Sequence, residues 1–255
     1  VVIPAYDEAA RLPLTLTGWV TFFARQPYAA EVLVVDDGSK DDTTAVVQAF
    51  AAGHHGWPVI RSLTLVRNQG KGGAVKAGML AAAGANVFYA DADLNIAPEH
   101  LVPALECLEG GYDVVAGQRR LRTYAATERS LRRVLGGALV QATRRLFVLP
   151  VIRDTQCGFK GFRAGAARAI FERTRIRSFA FDVEVLYLAW RLGLRIKELP
   201  VDVVFRSGST FDVSRHLGPF LRDVLAVRRN ALAGDYGDLS TALASGAPAH
   251  PGAPR

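Results

Sequence analysis

Cysteine is nearly absent from this sequence: Cys107 and Cys157 are the two among 255 residues. Their separation fits neither a metal knuckle nor a disulfide framework, so they read as two reduced thiols. No apolar run approaches the roughly 20 residues that a membrane-spanning helix needs. An initiator methionine is missing too, and Val1-Val2-Ile3 already reads as a core strand. A signal or membrane anchor upstream of Val1 therefore stays open. No G-x-G-x-x-G follows the first strand, which argues against a dinucleotide site. The glycine-rich segment at Asn68 also lacks the Lys-Ser/Thr ending of a P-loop. No internal repeat is visible.

What is present is globular in balance. Half of the residues are hydrophobic and 22% are charged, enough for one sizeable core. The net charge of +7 and the pI near 9.7 call for an anionic partner without naming it. Much of that charge lies between Arg119 and Arg153, where Arg129, Arg132, Arg133, Arg144 and Arg145 flank an apolar stripe. Leu131, Val134, Leu135, Ala138, Leu139, Ala142 and Leu146 make that stripe at helical spacing. An arginine-rich amphipathic helix suits an anionic membrane surface, and an ordinary solvated helix face is the plain alternative. Nucleic acid is the weaker reading, because base stacking needs aromatics and only Tyr124 and Phe147 occur there. A second helix of this kind is expected over 220–232. From Ala233 onward Ala, Gly, Pro and Ser dominate, and a disordered tail over 233–255 is expected.

The first 120 residues alternate apolar strands with helical patterns. Strands are expected at 1–3, 31–35, 62–66, 86–90 and 113–116, and helices at 9–25, 42–52, 73–83 and 98–109. Continuous apolar strands separated by helices imply an α/β fold, a mostly parallel sheet with both faces covered. Ligands of such sheets gather at the carboxyl ends of the strands. The polar clusters fall at those ends: Tyr6-Asp7-Glu8, Asp36-Asp37-Gly38-Ser39, Asn68-Gln69-Gly70-Lys71 and Asp91-Ala92-Asp93.

Each cluster has a chemical and a bland reading. Asp91 and Asp93, one residue apart after a buried strand, suit a divalent cation with room left for a diphosphate; alone, the pair also fits a solvated turn. Asp36 and Asp37 repel one another and need a partner, whether nucleobase, ribose or metal. Asp41 or Asp42 instead suits a helix cap. The glycines around Lys71 let a backbone approach an anion at a helix start, or merely connect strand to helix. The pairs His54-His55 and the lone His216 have no third ligand in view, and Trp19, Trp57 and Trp190 read as core or rim packing.

Taken in order, these motifs resemble family 2 glycosyltransferases of the GT-A fold, a Rossmann-like nucleotide-sugar domain. The resemblance runs from Val1 to about Arg229. Val1-Val2-Ile3-Pro4-Ala5-Tyr6-Asp7-Glu8 looks like the opening strand and donor loop, and Val34-Val35-Asp36-Asp37-Gly38-Ser39 like the second strand and nucleoside-binding acids. Asp91-Ala92-Asp93 matches the metal motif. Asp154-Thr155-Gln156-Cys157-Gly158-Phe159-Lys160-Gly161-Phe162 and Phe181-Asp182-Val183-Glu184 are similar to the dolichyl-phosphate β-glucosyltransferase subgroup. Gly117-Gln118-Arg119 departs from the usual Gly-Ser-Arg, and Thr210 stands where relatives often carry Lys.

The resemblance implies a metal-dependent, inverting hexosyltransferase over residues 1–232, with 120–150 as a membrane-interface segment. The donor is a nucleotide sugar, UDP-glucose first, and the acceptor a dolichyl or other polyprenyl phosphate on the cytoplasmic face of a membrane. Pro4, Ala5, Tyr6, Glu8, Asp36, Asp37, Asn68, Lys71, Asp91 and Ala92 are expected around the donor. Asp91 and Asp93 are expected to hold Mg²⁺ or Mn²⁺. Arg119, Gln156, Lys160, Arg206 and Ser209 are expected near phosphate or acceptor. Asp154, with Asp93 and Asp182, is the catalytic candidate. A GDP-mannose-dependent enzyme on the same lipid, and a non-catalytic nucleotide-sugar or membrane-binding module, remain the alternatives.

Overall fold

The structure, a computed structural model, describes residues 1–120, 152–204 and 213–239. Most of the arginine-rich stretch, along with Arg206 and Ser209, lies outside the described residues.

The first half follows the expected alternation: β1 (Val2–Ala5), α1 (Leu12–Phe23), β2 (Glu31–Asp36), α2 (Thr43–Gly53), β3 (Val59–Thr64), α3 (Lys71–Ala81), β4 (Asn86–Ala90), a 3-10 turn at Pro98–His100, α4 (Leu101–Glu109) and β5 (Val114–Arg119). Then come β6 (Phe159–Arg163), α5 (Ala164–Phe171), α6 (Phe181–Arg191), β7 (Ile196–Val201) and α7 (Val213–Leu232). All seven strands form one sheet in the order β3-β2-β1-β4-β6-β5-β7. Pairings are parallel except those of β6, which runs antiparallel to both β4 and β5. The mostly parallel α/β sheet expected from the sequence is therefore present.

Strand alternation sorts the core onto two faces. Val2, Leu33, Val35, Val87 and Tyr89 face α3, α5 and α6. Ile3, Val32, Val34, Phe88 and Ala90 face α1 and α4 on the other side. From β1 the chain winds first towards β2 and β3, while β4 lies on the opposite side. At such a reversal an α/β sheet binds its ligand outside the carboxyl ends of its strands, here those of β1 and β4.

Several boundaries moved for local reasons. β3 ends at Thr64 rather than Val66, because its register with β2 runs from Glu31–Val59 to Asp36–Thr64. Beyond it Val66 is fully exposed. α1 starts at Leu12, since Ala9 is held in the preceding loop by Asp41 and Pro13 sits in the first turn. Asp41 rather than Asp42 serves the start of α2, accepting the Thr43 amide at 3.0 Å. Within α7, Val224 and Val227 pack into the core while Arg222, Arg228 and Arg229 are exposed. Part of its apolar side thus packs on the core, while Leu225 and Leu232 are exposed.

Residues 233–239 of the expected disordered tail are described, and 240–255 lie outside the described residues. Tyr236 is buried, and its hydroxyl donates to Glu184 Oε1 at 2.7 Å. A low-complexity composition concealed this anchor, whose partner lies 52 residues earlier.

Candidate active site

The loop after β1 is stitched to the loop after β2 by four hydrogen bonds. The Asp7 amide donates to Ser39 Oγ (2.9 Å), Glu8 to Thr43 Oγ1 (2.9 Å) and Ala9 to Asp41 Oδ2 (3.1 Å), while Lys40 donates to Asp7 Oδ1 (2.7 Å). Asp7 sits at φ 54°, a left-handed conformation that aspartate tolerates. Tyr6 beside it is 39% exposed, whereas Ala5 is buried and its carbonyl accepts the Asp37 amide at 2.8 Å. Pro4 lies within the sheet opposite Val35.

Asp36 and Asp37, adjacent and both buried, find much of their compensation inside the protein. Asp36 accepts the Ser39 amide at 2.8 Å and the Thr44 hydroxyl. Asp37 Oδ1 accepts the Gln69 amide at 2.7 Å, tying this loop to the glycine-rich one. Burial pushes the Asp37 carboxyl upward, against the amides of Gln69 and Gly70, with repulsion from Asp36 adding to the rise. Asn68 Oδ1 accepts the Gly70 amide at 3.0 Å and closes the turn into α3. Gly70 has φ +81°, and a side chain there would stand 2.4 Å from the Arg177 carbonyl. Only glycine meets both conditions.

That turn delivers Lys71 to the end of β4. Its ammonium lies 2.6 Å from Asp91 Oδ1 and 5.9 Å from the centre of the Phe179 ring. Burial opposes its charge, but Asp91, Asp182 and Asp93 prevail and hold the lysine above its ordinary range. Asp91 is anchored by its amide, which donates to the Gly158 carbonyl at 3.1 Å. A Cβ on Gly158 would come within 2.0 Å of Asp91 Oδ2, so the carboxylate lies directly on that glycine.

Ala92 is buried, and its carbonyl accepts the Thr15 hydroxyl. Asp93 accepts the Asn95 amide (3.0 Å) and side-chain Nδ2 (2.5 Å). Burial raises the Asp93 carboxyl, Asp91 adds to the rise, and the Asn95 amide opposes it. Glu8 is raised as well, by burial first, with Arg11 opposing and Asp93 and Asp41 reinforcing. Mutually perturbed carboxylates make this loop cluster a candidate functional site.

Among the described residues, no group of three or more His, Cys, Asp or Glu converges as a complete metal cage. Asp91 and Asp93 fit the alternative, two hard oxygen donors with the remaining positions left to water and substrate phosphate. Asp91 already has a cation, Lys71, at its Oδ1.

Arg119 ends β5 on the same side of the sheet. Its guanidinium grips Asp154 in a fork, Nε to Oδ2 at 2.7 Å and Nη2 to Oδ1 at 2.9 Å. The Arg119 and Gln156 amides add bonds of 3.1 Å each to the same carboxylate. Burial would raise Asp154, but its bonds and charge contact with Arg119 outweigh that and hold it below the usual carboxylate range. Asp154 is therefore a poor proton acceptor and a good anchor. Gln156 Nε2 is shielded from solvent with no acceptor among the described residues.

Two expected site residues are corrected. Lys160 is completely buried and donates to the carbonyls of Thr155 (3.0 Å) and Cys157 (2.8 Å) and to Asp182 Oδ1 (2.5 Å). With three donors satisfied, it has none left for an acceptor phosphate. Asp182, also buried, takes that ammonium and the Tyr89 hydroxyl at 2.5 Å. It is a counter-ion in the core, not a base facing solvent. Glu184, from the same helix start, accepts the amides of Arg175 and Ile176 besides Tyr236.

The sequence reading missed Arg11, Thr44, Asn95 and the role of Gly158. The only signal for Gly158 in the sequence is its place inside the Asp154-to-Phe162 motif.

The arrangement places acidic loops at the carboxyl ends of a reversed, mostly parallel sheet, with a paired-carboxylate motif after β4. The glycosyl transferase family 2 profile matches residues 1–171, and the chain belongs to that family. Dolichyl-phosphate beta-glucosyltransferase of Drosophila melanogaster is 38% identical over 216 residues, covering 79% of this chain and 65% of its own length. The Homo sapiens protein of the same name is 32% identical, covering 92% and 76%. Curated relatives thus extend beyond the length this chain matches. Glucosyl-3-phosphoglycerate synthase of Mycobacterium tuberculosis, crystallised with Mn²⁺, uridine diphosphate and phosphoglyceric acid, superposes with a TM-score of 0.64 at 22% identity. That match covers 92% of this chain and 77% of the other, and speaks for the fold.

Proposed function

We propose that this protein transfers glucose, with inversion, from UDP-glucose to the phosphate of a dolichyl or other polyprenyl phosphate. The relatives' activity supports sugar and acceptor. The observation that supports the reading is the Lys71–Asp91 contact, with Asp93 two residues on, a pair of carboxylates suited to a cation at the reversal of the sheet.

Nucleoside recognition falls to the stitched loops: Pro4, Ala5, Tyr6 and Glu8 after β1, Asp36 and Asp37 after β2, and Asn68 before α3. Asp91 and Asp93 hold Mg²⁺ or Mn²⁺. The bound ion supplies positive charge to the departing diphosphate. Lys71 adds a second cation at a helix start.

Asp154 fixes the plane of the Arg119 guanidinium and so aims a cation at phosphate. An acceptor phosphate monoester, with a second pKa near ~6, is already largely ionised at neutral pH and needs placement more than deprotonation. The lowered Asp154 suits that division of work. Gln156, whose Nε2 has no partner among the described residues, is a donor for an acceptor oxygen. Arg206 and Ser209 complete the proposed phosphate contacts.

The protein works at the cytoplasmic face of a membrane, held there by the arginine-rich segment over 120–150. Among the described residues no helix is long and apolar enough to cross a bilayer. Asp93→Ala tests the site: turnover should fall by at least ~10³-fold while the circular dichroism spectrum is unchanged. Wild-type turnover in that variant would refute the assignment.

A further inference from the structure

One oxygen of Asp91 has a cationic partner, and the other packs against backbone. Oδ2 lies against Gly158, and Oδ1 carries the Lys71 ammonium at 2.6 Å. The lysine is no surface bystander: its side chain is 19% exposed, less than the 37% of Asp91 itself. Lys71 opens α3, and Gly72 behind it is fixed through its amide to the Arg177 carbonyl at 2.8 Å. The backbone stays in place, while the four-carbon side chain can swing.

A divalent ion binds a carboxylate oxygen at about 2.0–2.1 Å when it is Mg²⁺. An ammonium at 2.6 Å from that oxygen occupies the same approach, and two cations there repel. We propose that Lys71 is a resident counter-ion of Asp91 that a divalent metal must displace, and that the incoming diphosphate gives the displaced ammonium its new partner. This rests on the metal reading of Asp91 and Asp93. It adds an order to the site: bare metal binds weakly, and metal with nucleoside diphosphate binds well, because only the second case leaves every charge paired. The glycine-rich turn then serves as more than a connector, since it sets the lysine where both partners lie within reach.

The test is Mn²⁺ binding to nucleotide-free protein, followed by electron paramagnetic resonance of the free ion, for wild type, Lys71→Met and Lys71→Arg. Removing the competing charge should tighten Mn²⁺ by about tenfold or more in Lys71→Met, and retaining it should leave Lys71→Arg within about twofold of wild type. With UDP present the ranking should reverse, Lys71→Met holding UDP more weakly than wild type.

A second measurement needs no variant. Acetylation of Lys71, followed by mass spectrometry, should be slow in the metal-free protein, faster with saturating Mn²⁺, and slow again when UDP is added. Unchanged or weaker Mn²⁺ binding by folded Lys71→Met, or acetylation indifferent to Mn²⁺, would overturn the inference while leaving the metal site standing. Failure of Mn²⁺ to bind any form of the protein, with or without UDP beyond what UDP itself holds, would overturn the inference and the metal reading together.

Discussion

Lys160 shows how a single side chain changes meaning with burial. In a motif rich in glycine and aromatics its charge suggests a phosphate ligand, yet the structure places it at zero exposure against Asp182. Nothing near position 160 announces a partner 22 residues away. Removing one member of such a pair strands the other charge. Lys160→Met should therefore cost about 3–5 kcal/mol in urea unfolding, and the double variant Lys160→Met/Asp182→Asn clearly less than the sum of its parts.

Cys157 behaves likewise. Burial is the chief cause that pushes its thiol up to about 11, so at pH 8 only on the order of 0.1% is thiolate. Native protein should lose at most Cys107 to a thiol reagent at that pH, and both cysteines in denaturant. Asp154 shifts the other way. Its native pKa is depressed, so its contribution to stability is present above the unfolded value near ~3.9 and fades as pH falls through the lower native value. The difference in unfolding midpoint between wild type and Asp154→Asn should thus be largest at neutral pH and shrink in acid.

For the elements, legibility tracked the strength of the apolar pattern. β1, β2 and β4 are largely apolar runs with acids at or just beyond their ends, and their expected bounds lie within two residues of the observed ones. β3 is an edge strand with exposed positions, so the exposed Val66 lengthened its apparent end. β6 contains a lysine and a glycine among its five residues and gave no periodic signal. Its start sets Gly158 against Asp91. Gly158→Ala should therefore push the carboxylate aside and reduce turnover by at least ~10²-fold, with metal affinity falling in parallel. Full activity in that variant would mean that Asp91 does not depend on its seat against Gly158.

For the whole molecule, the mostly parallel sheet followed from alternating elements and the ordered motifs identified the family, whereas the reversal of strand order is visible only in the structure. Composition was a poorer guide at the carboxyl end, where Tyr236 closes over Glu184 despite its low-complexity surroundings. The +7 charge fits a chain that meets an anionic membrane. Liposomes containing anionic lipid should retain the protein at low salt and release it as salt rises, and charge reversal at Arg132 and Arg133 should weaken retention.

The most direct test of the account is release of nucleoside diphosphate from a panel of UDP- and GDP-sugars, with Mg²⁺ or Mn²⁺, with and without a short polyprenyl phosphate. The account predicts turnover of UDP-glucose that requires both metal and lipid. Folded, metal-loaded protein that turns over no donor, or that turns over GDP-mannose instead, would contradict it.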